Sequence, residues 1–278
     1  MLSYLYYYKK LVGKLEQEKV LSLNHLTMSY SGNKVLNGID LDVYRGQIIG
    51  YIGPNGAGKS TTLKIMLGLV DGYEGTVEIF GQDIATDHYT YKRKIGYVPE
   101  NAEIYDNLTA IEYLTFVGEL YGMDKDHAVK KAQRLMEEFE LESVLDSRIS
   151  SFSKGMRQKV LIISSLLHDP DLLFLDEPLN GLDANSVMII KEILSQLAAQ
   201  GKTIFYSSHI MDVVEKISNR IVLLVDGKIA ADGSFEALRE QSKEGSLEDI
   251  FNQLTGFNQH EQTAKEFVRI VQGEEADE

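Results

Sequence analysis

Residues 53–60 read Gly53-Pro54-Asn55-Gly56-Ala57-Gly58-Lys59-Ser60, which fits G-x-x-x-x-G-K-[ST]. Each residue type in that pattern answers a demand of a bound polyphosphate. Glycines let the backbone wrap closely, so that several N–H groups can point at phosphate oxygens. A helix starting near Lys59 adds the positive end of its dipole to the same target. Lys59 is long enough to reach the β- and γ-phosphates, the Ser60 hydroxyl can hold Mg²⁺, and Thr61 follows at the helix start. The competing reading is a Gly-rich turn that happens to precede a lysine. Context decides against it. The loop follows the apolar run Gln47–Ile52 and precedes Thr61–Leu69, the strand–loop–helix order that the motif requires.

Leu172-Leu173-Phe174-Leu175-Asp176-Glu177 is an apolar run that ends in two acids. A buried strand that stops at carboxylates places them at its carboxyl end, where α/β folds bind ligands. Asp176 can hold Mg²⁺ through water, and Glu177 can polarise an attacking water. Pro178 would equally suit a plain strand-ending turn, but the phosphate loop upstream favours the catalytic reading. A third segment, Ser153-Lys154-Gly155-Met156-Arg157-Gln158-Lys159, precedes the apolar run Val160–Leu167. Ser153 is of N-cap type, and a helix N-terminus with a hydroxyl and a glycine is also a ready anion site.

Alternating elements must position these groups. Val20–Asn24, Ile39–Val43, Gly75–Gly81 and Ile95–Val98 read as strands, with turn signals at Ser31-Gly32-Asn33 and Asn37-Gly38. Residues 107–165 then turn helical. Thr109-Ala110-Ile111-Glu112 matches a capping box, and Ala128, Val129, Ala132, Leu135, Met136 and Phe139 recur at helical spacing, as a packed face would. Beyond residue 170, strands (Asp171–Leu175, Thr203–Ser207, Ile221–Val225, Lys228–Ala231) alternate with helices (Ala184–Ala199, Ile210–Ile217). The pattern implies an α/β core carrying a helical insert.

Bulk composition narrows the function. The 278 residues are 44% hydrophobic, enough for a sizeable core. No apolar run approaches the ~18–20 residues that span a bilayer, and the start of the chain does not read as a secretory signal. Its aromatic stretch, Tyr4–Tyr8, is short for an interfacial helix. The chain has no cysteine, which excludes disulfides, thiol catalysis and sulfur-ligated zinc and fits the cytoplasm. A net charge of −14, from 28 basic and 42 acidic residues, argues against nucleic acid as a partner. The acidic end, Gly273–Glu278, reads as a solvated tail.

Taken in order, these segments resemble the nucleotide-binding subunit of an ATP-binding cassette (ABC) transporter over roughly residues 20–237. The family signature Leu-Ser-Gly-Gly-Gln is here Phe152-Ser153-Lys154-Gly155-Met156. Ser153 and Gly155 match, Lys154 and Met156 depart, and Arg157-Gln158-Lys159 fits the family. The resemblance implies an α/β fold: a P-loop NTPase core with an N-terminal antiparallel β subdomain and an inserted α-helical subdomain at about 100–165. Residues 1–19 would be an extension and 238–278 a helical, acidic tail.

The resemblance also implies roles. ATP and Mg²⁺ would bind between two chains, with Ser153 and Gly155 touching the γ-phosphate held by the other subunit. Tyr30 would stack on adenine, although a tyrosine is also an ordinary strand residue. Asp183, in Asn180-Gly181-Leu182-Asp183, matches the family's D-loop and equally suits a helix N-cap. His209 matches the switch histidine that senses the γ-phosphate. Glu100, in Tyr97-Val98-Pro99-Glu100, stands where the family usually has glutamine; it keeps an oxygen for Mg²⁺ but adds a negative charge. The partners implied are a second ATP-binding subunit, as a homodimer, and a separate integral membrane permease, docked near 100–146, with the chain peripheral on the inner face of the cell membrane. The signature and Ser246–Phe251 are similar to subunits of bacterial exporter-type systems. The alternatives are a soluble single-cassette mechanical ATPase and a small-molecule kinase; a kinase leaves the Ser-Lys-Gly segment and His209 unexplained.

Overall fold

The computed structural model describes residues 18–86, 89–100, 104–242, 245–256 and 260–272. The aromatic start Tyr4–Tyr8 and the acidic end 273–278 lie outside the described residues. Two sheets share the chain. The first is antiparallel, in the order β2 (Asn33–Tyr44), β1 (Lys19–Tyr30), β4 (Glu74–Ile79), β5 (Gln82–Asp83). The second has the order β10 (Lys228–Gly233), β9 (Arg220–Val225), β3 (Ile48–Ile52), β8 (Thr203–Ser207), β7 (Leu172–Asp176), β6 (Ile95–Val98). It is parallel from β9 to β6, and β10 closes one edge antiparallel.

The parallel strands are buried on both faces, as their unbroken apolar runs require. Alternate residues part into two cores. Ile48, Ile52, Leu173, Leu175, Ile204, Tyr206, Ile221 and Leu223 face one cluster, shared with most of the helices. Ile49, Tyr51, Leu172, Phe174, Phe205, Val222 and Leu224 face the other, shared with the antiparallel sheet and with α1 (Lys59–Met66). The antiparallel layer, the parallel sheet and the helices make an α/β fold of the expected kind.

Between β6 and β7 lie α2 (Ala110–Leu120), α3 (Lys125–Glu138) and α4 (Lys154–Leu166). The capping box that opens α2 is present: Glu112 N donates to Thr109 Oγ1 at 3.2 Å, and Thr109 N donates to a Glu112 carboxylate oxygen at 2.8 Å. After β7 come α5 (Ala184–Ala199) and α6 (Met211–Ile217), then α7 (Phe235–Ser242), α8 (Leu247–Thr255) and α9 (His260–Val271) beyond β10. One boundary differs from expectation. The apolar run to Leu69 suggested a longer α1, but Gly68 turns left-handed (φ 61°), and the amides of Gly68 and Leu69 close back on Ile65 O and Lys64 O. That glycine-centred cap ends the helix before the apolar run ends.

Candidate active site

The phosphate loop leaves the carboxyl end of β3, whose five residues are all buried. Its glycines are forced by different neighbours. A Cβ on Gly53 would lie 2.3 Å from Leu224 O, so β9 leaves no room for a side chain there. Gly58 has φ 104° and sits 2.5 Å, measured from an ideal Cβ, from Leu36 Cδ2 on β2. Gly56 has φ 81°, and a Cβ there would meet only open space. The loop is thus clamped on its Gly53 and Gly58 sides and open at Gly56, a cradle that a ligand can enter.

Gly58 is also the N-cap residue of α1, and it has no side chain with which to satisfy the first-turn amides. Those amides are left for an anion. From below, the helix start is anchored by Thr62 Oγ1, which donates to Gly58 O at 3.0 Å and accepts from the buried Tyr51 hydroxyl at 3.2 Å. Lys59 folds back over the loop, with Nζ donating to Gly53 O at 2.7 Å and Pro54 O at 3.0 Å.

Strand register brings the acids to the lysine. Tyr51 at the end of β3 pairs with Ser207, and Ser207 pairs with Asp176 at the end of β7. The carboxyl ends of β3, β8 and β7 therefore line up, and Glu100 follows β6 on the same side. Burial pushes the Asp176 carboxyl above its ordinary range; the Ser207 hydroxyl opposes this, while Glu100 and Glu177 reinforce it and Lys59 counters. Burial likewise lowers the Lys59 ammonium, against the pull of Asp176, Glu177 and Glu100. One half-buried cation faces three carboxylates. That field favours a further hard cation.

The donor set fits such an ion only in part. Among the described residues no group of three or more His, Cys, Asp or Glu side chains can hold a metal. Ser60 Oγ on an exposed residue, with Asp176 and Glu100 nearby, suits a Mg²⁺ that keeps several waters and takes its other ligands from phosphates.

Glu177 carries backbone strain, at φ 50°. A non-glycine residue there costs of order 1–3 kcal/mol and persists when its surroundings hold it. They do: Glu177 N donates to Ser207 O at 2.9 Å, and the nearly buried carboxylate accepts from His209 N at 2.8 Å and Ser208 Oγ at 3.1 Å. Nδ1 of the exposed His209 ring lies 2.7 Å from the same carboxylate. The strained turn aims Glu177 back across β8 toward the loop.

The remaining candidates fall in two places. Tyr30 is 43% exposed at the end of β1, in the hairpin whose return strand β2 abuts Gly58. Ser153 caps α4, its Oγ accepting from Met156 N at 3.2 Å. Gly155 packs on the loop after β7, where a Cβ would come within 2.8 Å of Gly181 O, and Gln158 Nε2 holds Pro178 O at 2.9 Å. Asp183 caps α5 through the Ser186 amide and hydroxyl, and the hydroxyl bond above all holds its carboxyl down at about 2. So Gly53–Thr61, Glu100, Asp176, Glu177 and His209 form one cluster, and Ser153, Gly155 and Asp183 form a second around residues 178–183. Sequence reasoning missed Ser207 and Ser208, which hold the two acids, and Thr62 and Tyr51, which anchor the loop. The signal for Ser207 was its place at the end of β8, one register position from Asp176.

Comparison with known proteins meets the same picture. Residues 36–180 match the ABC transporter family. The ABC-type transporter ATP-binding protein EcsA of Bacillus subtilis (strain 168) is 35% identical over 238 residues, covering 85% of this chain and 96% of the relative. The Nod factor export ATP-binding protein I of Cupriavidus metallidurans is 33% identical over 214 residues, 77% and 71% of the two chains. A solved ATP-binding subunit of an ABC transporter superposes with a TM-score of 0.80 at 34% identity, covering 85% of this chain and 99% of that one.

Proposed function

The chain belongs to the ABC transporter family of ATP-binding proteins and is an ATPase, and from that premise we propose that it drives a separate membrane permease in the direction of export. The observation that carries the catalytic part is the convergence of Lys59, Asp176, Glu177 and His209 at the carboxyl ends of neighbouring parallel strands. Export is supported by likeness to a Nod factor export protein. A partner is supported by the absence, among the described residues, of any helix long and apolar enough to cross a membrane. We place the permease on the helical segment at 100–165 of the ATP-binding domain 20–237. There Tyr105 and Phe116, 62% and 41% exposed, meet edge to face beside Asp106 and Glu112 in an open groove. Such a contact would hold the chain on the inner face of the membrane.

In the proposed mechanism the loop amides and Lys59 neutralise charge that develops on the transferred phosphate. Lys59 exchanges its two carbonyl partners for phosphate oxygens. Mg²⁺, held by Ser60 and water-linked Asp176 with Glu100 nearby, would supply further charge neutralisation. Glu177 orients the attacking water, and His209 fixes the Glu177 carboxylate and reports on the terminal phosphate. Tyr30 carries adenine. Ser153, Gly155 and Asp183 lie on the face that meets a second copy, so that each ATP is sandwiched between two chains. Removing the terminal phosphate removes the bridge and lets the pair part.

The test is Glu177→Gln. A positioned base contributes about 10²–10⁴-fold, so turnover should fall by that factor while ATP binding persists and an ATP-bound dimer accumulates. Normal hydrolysis by this variant would overturn the role given to Glu177.

A further inference from the structure

We propose that Lys154 is a nucleotide-contacting residue acting in trans: its ammonium engages the terminal phosphate of ATP held by a second copy of this chain. The assignment rests on the sandwich reading above and adds to it a residue that the reading leaves unused. Lys154 is the first residue of α4, between Ser153 and Gly155. It stands where the family signature has glycine, so this chain carries a positive charge that the signature lacks.

Two features show that the side chain is held and its charge is exposed. Its stem lies across bare backbone, since an ideal Cβ on Gly181 (φ 81°) would fall 2.9 Å from Lys154 Cδ, 3.0 Å from Cγ and 3.1 Å from Cε. Gly181 is thus the seat of the lysine stem, and the packing removes much of the rotamer freedom that a free lysine loses on binding. The residue as a whole is nonetheless exposed.

Charge is the third feature. A cation at the first helical position meets the positive end of the helix dipole, which is unfavourable there. The first turn of α4 contains no acidic residue to offset it. The neighbouring cations are directed elsewhere. Arg157 binds Asp106 at 2.7 Å and the carbonyls of Ser150 and Phe152, and Lys159 donates to Phe139 O at 3.4 Å. Asp183 of the adjacent loop is taken up by Ser186. A cation held in place by packing, against its own helix, gains most when a polyanion arrives at that helix end.

The experiment uses the full chain in the Glu177→Gln background, where ATP-bound pairs accumulate. Sedimentation with ATP and Mg²⁺ measures the dimer dissociation constant for Glu177→Gln alone and combined with Lys154→Met, which keeps the stem and removes the charge, or Lys154→Arg, which keeps the charge. The Met variant should pair about 10- to 100-fold more weakly, the worth of a charged hydrogen bond. It should also lose part of the salt dependence of pairing between roughly 50 and 300 mM. The Arg variant should stay within about threefold, and ATP affinity of the monomer, followed with a fluorescent ATP analogue, should not change. Unchanged pairing by the Met variant overturns the role of Lys154 while leaving the sandwich intact. Failure of Glu177→Gln itself to pair under ATP overturns the sandwich reading, and Lys154's role with it.

Discussion

Gly56 and Gly58 share a loop and a left-handed backbone, but only one of them has a neighbour. Both have positive φ, 81° and 104°; a Cβ on Gly56 meets nothing within 4 Å, whereas one on Gly58 meets Leu36 Cδ2 at 2.5 Å and Val35 O at 3.0 Å. Alanine at either position incurs a backbone penalty of about 1–3 kcal/mol. At Gly58 it adds overpacking of about 1–3 kcal/mol, because Leu36 is fully buried and cannot swing away. Gly58→Ala should therefore cost about 2–6 kcal/mol and Gly56→Ala about half that. For a chain of this size each kcal/mol moves Tm by roughly 2–4 °C, so the two melting curves should separate by several degrees. Leu36→Ala supplies the control. It is destabilising alone, by about 2–5 kcal/mol, but Gly58→Ala should cost less in its presence, a coupling that a double-mutant cycle reads directly. Binding should rank the other way for Gly56, whose new methyl enters the open side of the cradle. Gly56→Ala should fold well and bind ATP poorly. Thermal unfolding with a nucleotide titration on the same samples checks both. Equal stability losses at the two glycines would refute the Leu36 clamp, and undiminished ATP affinity in Gly56→Ala would refute the placement of phosphate on the open side.

Two further outcomes follow from the neighbours of the cluster. Glu100→Gln removes one of three acids around Lys59 and keeps an oxygen donor; steady-state ATPase should stay within about tenfold, or about 1.4 kcal/mol in barrier, and near-total loss would show that the carboxylate charge itself is needed. His168 stacks on Tyr121 at 3.6 Å with Nε2 2.9 Å from Ile95 O, and its Nδ1 is buried with no partner among the described residues. Burial lowers its pKa below the ordinary 6.5, so the neutral ring is the folded form. Its contribution to stability is therefore present above about pH 6.5 and is lost as pH falls from there through the lower folded-state value. Urea midpoints between about pH 8 and about pH 5.5 should drop more for the wild-type chain than for His168→Gln, and parallel pH profiles would refute the assignment.

The loop and strand-end acids were legible in the sequence because their information is local. Gly53–Ser60 carries its own turn chemistry, and Leu172–Asp176 is recognisable as a buried strand by its apolar run alone. The caps at Thr109, Ser153 and Asp183 were legible for the same reason, since each bonds an amide three residues away. What the sequence hid was set by register and by packing between distant segments. Ser207 restrains Asp176 only because β8 lies between β3 and β7 with those two residues paired. The end of α1 was misread because periodicity sees Leu67 and Leu69 but not the left-handed turn at Gly68 between them. Lys154 and Gly181 are the clearest case. Each has a local explanation, a helix-start lysine and a turn glycine, and neither local reading predicts that the stem of one needs the bare backbone of the other. A side chain at Gly181 would displace the lysine stem even with the helix, the cap and the phosphate loop intact. Residues 153–155 and 180–183 therefore behave as one surface, and a change in either should be felt in the other.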